Sequence, residues 1–314
     1  MKFISADNIK NNITIKALIE EIESIYKNEA KVPIRQVHNI ETLSNSLDPA
    51  QLMLMPAFSI EGDYGVKLLN VFPKNPSIGF SRVKALYILF NNTNGEVKAV
   101  LDGTELTKQR TAAMSAIASK FLSKKNSKKL LVLGTGALVP YMIKAHSFVR
   151  PIEEVLIWGR NNNKANKIVN EYKHSKFKVS VVDSIEKACG SADIITSVTS
   201  AKKEFIFGSW LNKTVHIDLV GAHTELMAEL DPVGFSLGDI YVDDKEATLN
   251  EAGDLINAIN LGIITKKDIK ADIKTLIKNN TTIRNNKDKV TIYKSVGHAL
   301  SDLAAARLAY KSLI

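Results

Sequence analysis

Apolar residues in this chain recur in two rhythms, and the change between them divides it. Over residues 14–28, Leu18, Ile19, Ile22, Ile25 and Tyr26 return at helical spacing behind Thr14, a residue suited to cap a helix. Segments of strand character follow at 32–37, 51–60, 65–72, 84–90 and 96–101. The last two flank Asn91-Asn92-Thr93-Asn94-Gly95, where Asn-Gly supplies the positive φ angles of a hairpin turn. The first third is therefore expected to be one helix plus an antiparallel sheet. A helical pattern returns over 107–122, with Thr107 as its expected cap. Beyond it, strands and helices alternate. Strands are expected at 130–134, 154–158, 178–182, 192–197, 215–220 and 239–242, and helices at 137–148, 162–173, 184–189, 244–251 and 266–275. A last helix, 295–312, carries Val296, Leu300, Leu303, Ala304 and Leu308 at helical spacing. The alternation predicts an α/β fold with a doubly wound parallel sheet.

One junction in the second rhythm carries chemistry. Leu130 to Leu133 is a short apolar run that ends in Gly134-Thr135-Gly136 just before a helical pattern. The first glycine permits the tight turn. The second lets backbone approach a pyrophosphate seated on the N–H groups of the helix. The third glycine of the usual motif is Val139 here, followed by Pro140, which a first helical turn tolerates. The next strand ends Trp158-Gly159-Arg160 with no carboxylate to accept a ribose 2′-hydroxyl. Arg160 suits a 2′-phosphate, or else stacking on adenine, so an NADP-type cofactor is favoured over NAD.

Composition narrows the class. The chain has 314 residues, enough for two domains, with 45% hydrophobic and 24% charged residues, as in ordinary globular proteins. No apolar run reaches the length of a membrane span, and Met1–Asn12 lacks the apolar core of a signal peptide, so a cytoplasmic location is expected. The single cysteine, Cys189, excludes an internal disulfide and a cysteine-based zinc site, and no metal is expected. The net charge of +9 invites a nucleic-acid reading. The lysines are dispersed, however. The densest group, Lys124, Lys125, Lys128 and Lys129, precedes the 130–134 strand and so lies opposite the cofactor end, without interleaved aromatics. No nucleic-acid partner is expected.

Three cations sit where charge is costly. Arg35 follows Val32-Pro33-Ile34, Lys67 lies inside the apolar run Val66-Lys67-Leu68-Leu69, and Arg110 falls in the first turn expected of the 107–122 helix, where it opposes the dipole unless it meets an anion. Taken singly, each could be a surface charge or a structural ion pair.

With these residues in view, the chain resembles the ornithine cyclodeaminase/mu-crystallin family of NAD(P)H-dependent imine reductases and amino-acid dehydrogenases, from about Pro33 onward. The anchors are PIR at 33–35, LMPAF at 54–58, VKLLNVFP at 66–73, the 100–122 segment with its RTAA, LGTGA at 133–137, DIITSVTS at 193–200, NEAGDL at 250–255 and YKSVGHALSDLAAARLAY at 293–310. The resemblance implies a Rossmann domain, 113–291, and an α+β substrate-binding and dimerisation domain, 1–112 with 292–314, in a homodimer. It implies that Arg35, Lys67 and Arg110 grip a substrate carboxylate, with Lys67 also catalytic. Gly134, Gly136, Ala137, Leu138, Arg160, Asn161, Thr199 and Val220 would serve the cofactor, and Lys294, Ser295 and Gly297 would lie near the nicotinamide. NADPH is the expected cofactor and NADH the alternative. Cyclodeaminases of the family carry an aspartate after Val220-Gly221-Ala222. His223 stands there, and a histidine cannot replace an obligate anion. The expected activity is therefore reduction of a cyclic ketimine, Δ1-pyrroline-2-carboxylate to proline or Δ1-piperideine-2-carboxylate to pipecolate, with His223 as proton source or substrate-facing group. Ornithine cyclodeaminase, alanine dehydrogenase and a noncatalytic NADPH-binding crystallin are the alternatives.

Overall fold

The computed structural model describes residues 1–40, 49–60, 62–280, 284 and 289–313, and the chain divides into two units. The first is Met1–Thr111 with His298–Ile314, and the second is Ala112–Gly297.

The first unit is built on a seven-stranded sheet: β1 (Lys2–Ile4), β2 (Ala30–Lys31), β3 (Gln36–Ile40), β4 (Ala50–Ser59), β5 (Tyr64–Val71), β6 (Val83–Phe90) and β7 (Val97–Asp102), in the order β1-β7-β6-β5-β4-β2, with β3 also on β4. Pairing is antiparallel except for β1 with β7. Alternation along β4 to β7 buries Met55, Lys67, Tyr87 and Leu101, which stand opposite one another across the sheet. That face packs against α11 (Ala299–Lys311), which in turn packs against α2 (Ile15–Lys27). The expected apolar stripe of α2 is buried, and Thr14 accepts a hydrogen bond from the Ala17 N–H.

The sequence expectations shift in three places here. A helix α1 (Ala6–Asn12), capped by Ser5, precedes α2. The expected strand at 32–37 is two strands either side of Pro33, which has no N–H for a ladder. Helix α3 (Gly103–Leu122) begins one turn before Thr107, because Asp102 accepts from the Glu105 N–H, while Thr107 donates back to the Gly103 carbonyl.

The second unit is an eight-stranded, fully parallel sheet in the order β10-β9-β8-β11-β12-β15-β13-β14. Its strands are β8 (Lys129–Leu133), β9 (Glu154–Trp158), β10 (Lys178–Val181), β11 (Ile194–Ser197), β12 (His216–Leu219), β13 (Gly238–Val242), β14 (Ile269–Asp272) and β15 (Val290–Lys294). Leu130 to Leu133 are fully buried, as a strand covered on both faces requires. The helices include α4 (Val139–Val149), α5 (Asn162–Glu171), α6 (Ile185–Ser191), α7 (Pro232–Ser236), α8 (Lys245–Glu251), α9 (Gly253–Asn260) and α10 (Ile273–Asn279). Winding runs outward from β8 to β10 and then restarts at β11 on its other side. This is the doubly wound α/β sheet the alternation predicts. Arg150 closes the C-terminal end of α3 by donating to the carbonyls of Ser119, Lys120 and Ser123.

Two expectations fail in this unit. The helix at 266–275 resolves into a short turn, β14 and α10, because Thr265 with Asp268, and then Asp272, supply caps that interrupt it. The last helix starts later than expected: residues 290–294 form β15, paired with both β12 and β13, and 295–298 connect it to the helix. Helix α11 accordingly starts at Ala299, not 295, after Gly297 turns the chain at φ +91°. Among the described residues no helix is long and apolar enough to cross a membrane, and no group of His, Cys, Asp and Glu could hold a metal ion.

Candidate functional site

In the first unit, Lys67 on β5 and Arg110 on α3 meet at one buried carboxylate. Lys67 Nζ donates to Asp302 Oδ2 at 2.7 Å, and Arg110 Nε donates to Asp302 Oδ1 at 2.8 Å. Asp302, on α11, is wholly buried. Arg35, between β2 and β3, is half-buried, and its charge is felt at Lys67. Burial pushes the Lys67 ammonium down to about 7. Asp302 opposes that shift, and Arg110 and Arg35 reinforce it. Burial alone would raise the Asp302 carboxyl, but Arg110 and then Lys67 outweigh it and hold the group below its usual range. Tyr87, opposite Lys67 on β6, is kept neutral by burial and by the nearby Asp302 charge. Its hydroxyl has no hydrogen-bond partner among the described residues. Lys67 and Arg110 thus share one carboxylate, an arrangement that can accept an external anion.

In the second unit, the remaining expected residues gather at the C-terminal ends of the strands. Gly134 closes β8 at φ +126°, and a Cβ there would lie 3.0 Å from the Val198 carbonyl oxygen. The turn after β8 and the loop after β11 therefore touch at the point where strand order reverses. Gly136 faces open space, since an added Cβ would meet nothing within 4 Å. Ala137 and Leu138 follow, and α4 starts with Pro140 in its first turn. The geometry fits a dinucleotide: a pyrophosphate can approach the Gly136 backbone and the first N–H groups of α4. Gly159 is dictated by Thr135, whose Cγ2 would lie 2.5 Å from an added Cβ. Arg160 is exposed at the end of β9, and Asn161 caps α5 by accepting from the Lys164 N–H.

Carboxylates that sequence reasoning did not single out hold the other loops. Glu229, fully buried, accepts from Ser197 Oγ at 2.5 Å, from the Thr199 N–H and hydroxyl, and from the N–H groups of Gly221 and Ala222. It therefore fixes Thr199 after β11 and the Val220–Ala222 turn after β12. Asp243 accepts from Ser295 Oγ and from the N–H groups of Val296 and Gly297, the latter at 2.6 Å. Lys294 is turned inward onto Asp254 at 3.1 Å, so its ammonium serves the loop's own architecture. Burial raises the Asp254 carboxyl, against the pull of Lys294 and with a further push from Glu229. His223 is half-buried, and its Nδ1 donates to the Gly221 carbonyl at 2.8 Å. Two of the clustered lysines are ion-paired, Lys128 with Glu153 and Lys129 with Glu154.

A signal for Asp302 did exist. It is the only acidic residue between 295 and 312, placed among alanines and leucines on a helix whose neighbours are all buried. Glu229 and Asp243 carry no such signal, because acids in loops are ordinary, and Asp254 reads as an ordinary acid in the first turn of α9.

The whole chain, residues 1–314, matches the ornithine cyclodeaminase/mu-crystallin family. It is similar to the Δ1-pyrroline-2-carboxylate reductase of Colwellia psychrerythraea, with 35% identity over 323 residues covering 100% of this chain and 99% of that protein. The rat ketimine reductase mu-crystallin is 32% identical over 318 residues, covering 99% and 96%. Among solved structures, the Thermococcus litoralis Δ1-pyrroline-2-carboxylate reductase in complex with NADH and L-proline aligns with a TM-score of 0.94 at 30% identity, over 99% of this chain and 97% of that one. The protein belongs to the ornithine cyclodeaminase/mu-crystallin family.

Proposed function

We propose that the protein is a NAD(P)H-dependent reductase of cyclic ketimine carboxylates, converting Δ1-pyrroline-2-carboxylate to L-proline and accepting Δ1-piperideine-2-carboxylate at the same seat. The observation that carries the reading is the buried Lys67–Asp302–Arg110 centre with its surplus positive charge. The relatives' activities point the same way.

Arg110 and Arg35 bind the substrate carboxylate, and the planar guanidinium of Arg110 keeps free N–H donors beside its bond to Asp302. Lys67 is the proton source. A lysine held at about 7 gives up a proton far more readily than an ordinary one. The imine nitrogen takes a proton from Lys67 Nζ, which leaves a neutral amine and an electrophilic iminium. When bound, the reduced nicotinamide supplies a hydride to the C=N carbon. Lys67 is reprotonated before the next turnover. His223 commits its Nδ1 to the Gly221 carbonyl, which ties the ring to the loop after β12. With histidine in place of the cyclodeaminase aspartate, ornithine is not a substrate. Gly134, Gly136, Ala137 and Leu138 hold the pyrophosphate, and Arg160 favours NADPH over NADH.

The protein acts as a homodimer paired through the outer face of the seven-stranded sheet. Leu54, Pro56, Val66, Leu68 and Ile88 are only half-buried there and Leu86 is exposed, which makes an apolar surface on the side away from α11. The deciding assay follows NADPH and NADH oxidation with each cyclic imine, beside ammonia release from L-ornithine with NAD. Imine reduction without ornithine deamination is the expected result, and proline plus ammonia from ornithine would overturn it.

A further inference from the structure

We propose that Asp302 is a positioning residue for this reaction, acting through Lys67 and Arg110 to fix the two cations as one seat for a substrate carboxylate. The inference rests on the reductase reading. Asp302 uses one oxygen for each cation, at 2.7 Å to Lys67 and 2.8 Å to Arg110. The two partners come from a strand and a helix far apart in sequence, so a single carboxylate sets their spacing. A merely structural salt bridge would need one cation. Here one carboxylate serves two cations, which leaves positive charge that an incoming anion can balance.

The charged and titratable groups around Lys67 come from every neighbouring element. They are Asp302 from α11, Arg110 from α3, Arg35 before β3, and the neutral Tyr87 from β6. Tyr26 of α2 directs its hydroxyl to His298 at the start of α11 instead. Asp302 is thus the only anion among these groups. Without it Lys67 would hold its proton less tightly, and its ammonium would lose the acceptor that orients it.

The test uses the full chain and reads the Lys67 titration beside kcat and KM, whose split with the Glu variant separates positioning from scaffolding. In protein labelled with ¹⁵N-lysine, the Lys67 Nζ titration is assigned by its loss in Lys67→Met. Asp302→Asn should lower its midpoint by about one pH unit, a tenfold loss of proton affinity. With Δ1-pyrroline-2-carboxylate, Asp302→Asn should lower kcat/KM by on the order of 100-fold, with NADH affinity unchanged. Asp302→Glu, which keeps the charge but displaces it, should restore the midpoint while kcat stays about tenfold down. Should the Asn variant fail to fold, the Glu variant decides: wild-type kcat and KM at every pH would overturn the proposal. An unmoved Lys67 midpoint in a folded Asn variant would also overturn it. Failure of the reductase reading shows separately, as an inactive wild type whose Lys67 titration still responds to Asp302.

Discussion

Replacing Lys67 with methionine should make the protein more stable at pH 6 while abolishing turnover. The lysine's proton affinity falls from 10.5 to about 7 on folding, which corresponds to a charging cost of ~5 kcal/mol for the buried ammonium. Between those values the unfolded chain binds a proton that the folded chain does not. Stability therefore rises with pH across that window, and the full penalty applies below about 7. Methionine has similar length, stays apolar and does not titrate. Its cost is one lost donor at Asp302, about 1–3 kcal/mol, because Arg110 remains in place. At pH 6 the variant should gain ~2–4 kcal/mol, and near pH 10 it should be less stable by ~1–3 kcal/mol. Urea unfolding followed by circular dichroism at the two pH values measures the difference. A variant equally destabilised at both pH values would refute the reasoning, since the Lys67 charge would then carry no folding cost.

Other consequences can be checked as directly. In wild type, kcat/KM should fall as pH rises through about 7, because the ammonium that binds and protonates the substrate is lost; a flat profile from pH 6 to 9 contradicts the assignment of Lys67 as proton source. Arg160→Ala should reduce the preference for NADPH over NADH by roughly tenfold or more, read from the ratio of kcat/KM values. Gly134→Ala should cost ~1–3 kcal/mol and weaken NADH binding, because φ +126° and the Val198 carbonyl at 3.0 Å both oppose a Cβ; unchanged fluorescence titration would sink that account. Under the proposed pairing, wild type should scatter light as a dimer and Leu86→Lys as a monomer; equal masses for the two would sink that pairing.

The turn after β8 was legible because its chemistry is local: an apolar strand, two glycines and a helix within a few residues. The stripe of α2 and the hairpin at Asn91–Gly95 were legible for the same reason, although only Gly95 takes a positive φ, +76°, and Asn94 does not. The three cations were visible as misplacements. Their partner was not, because Asp302 stands 235 residues from Lys67 and 192 from Arg110. Sequence spacing holds no record of a contact made only when α11 covers β5. The 266–275 segment misled because its lysines and isoleucines fit a helix equally well. Thr265, Asp268 and Asp272 spend their side chains on caps, and that local competition decides the outcome.

The place of β15 has a consequence for how the protein is made. It lies between β12 and β13, so β13 and β14 reach the rest of the parallel sheet only through residues 290–294. Until those residues leave the ribosome, β12 presents an open apolar edge, the kind of surface on which nascent chains aggregate. Residues 299–311 of α11 then cover the face that buries Lys67. Multidomain chains commonly finish one domain before the next is synthesised. Here neither unit can close early, and both wait for the same late stretch of polypeptide. A stalled or truncated chain would forfeit the two together.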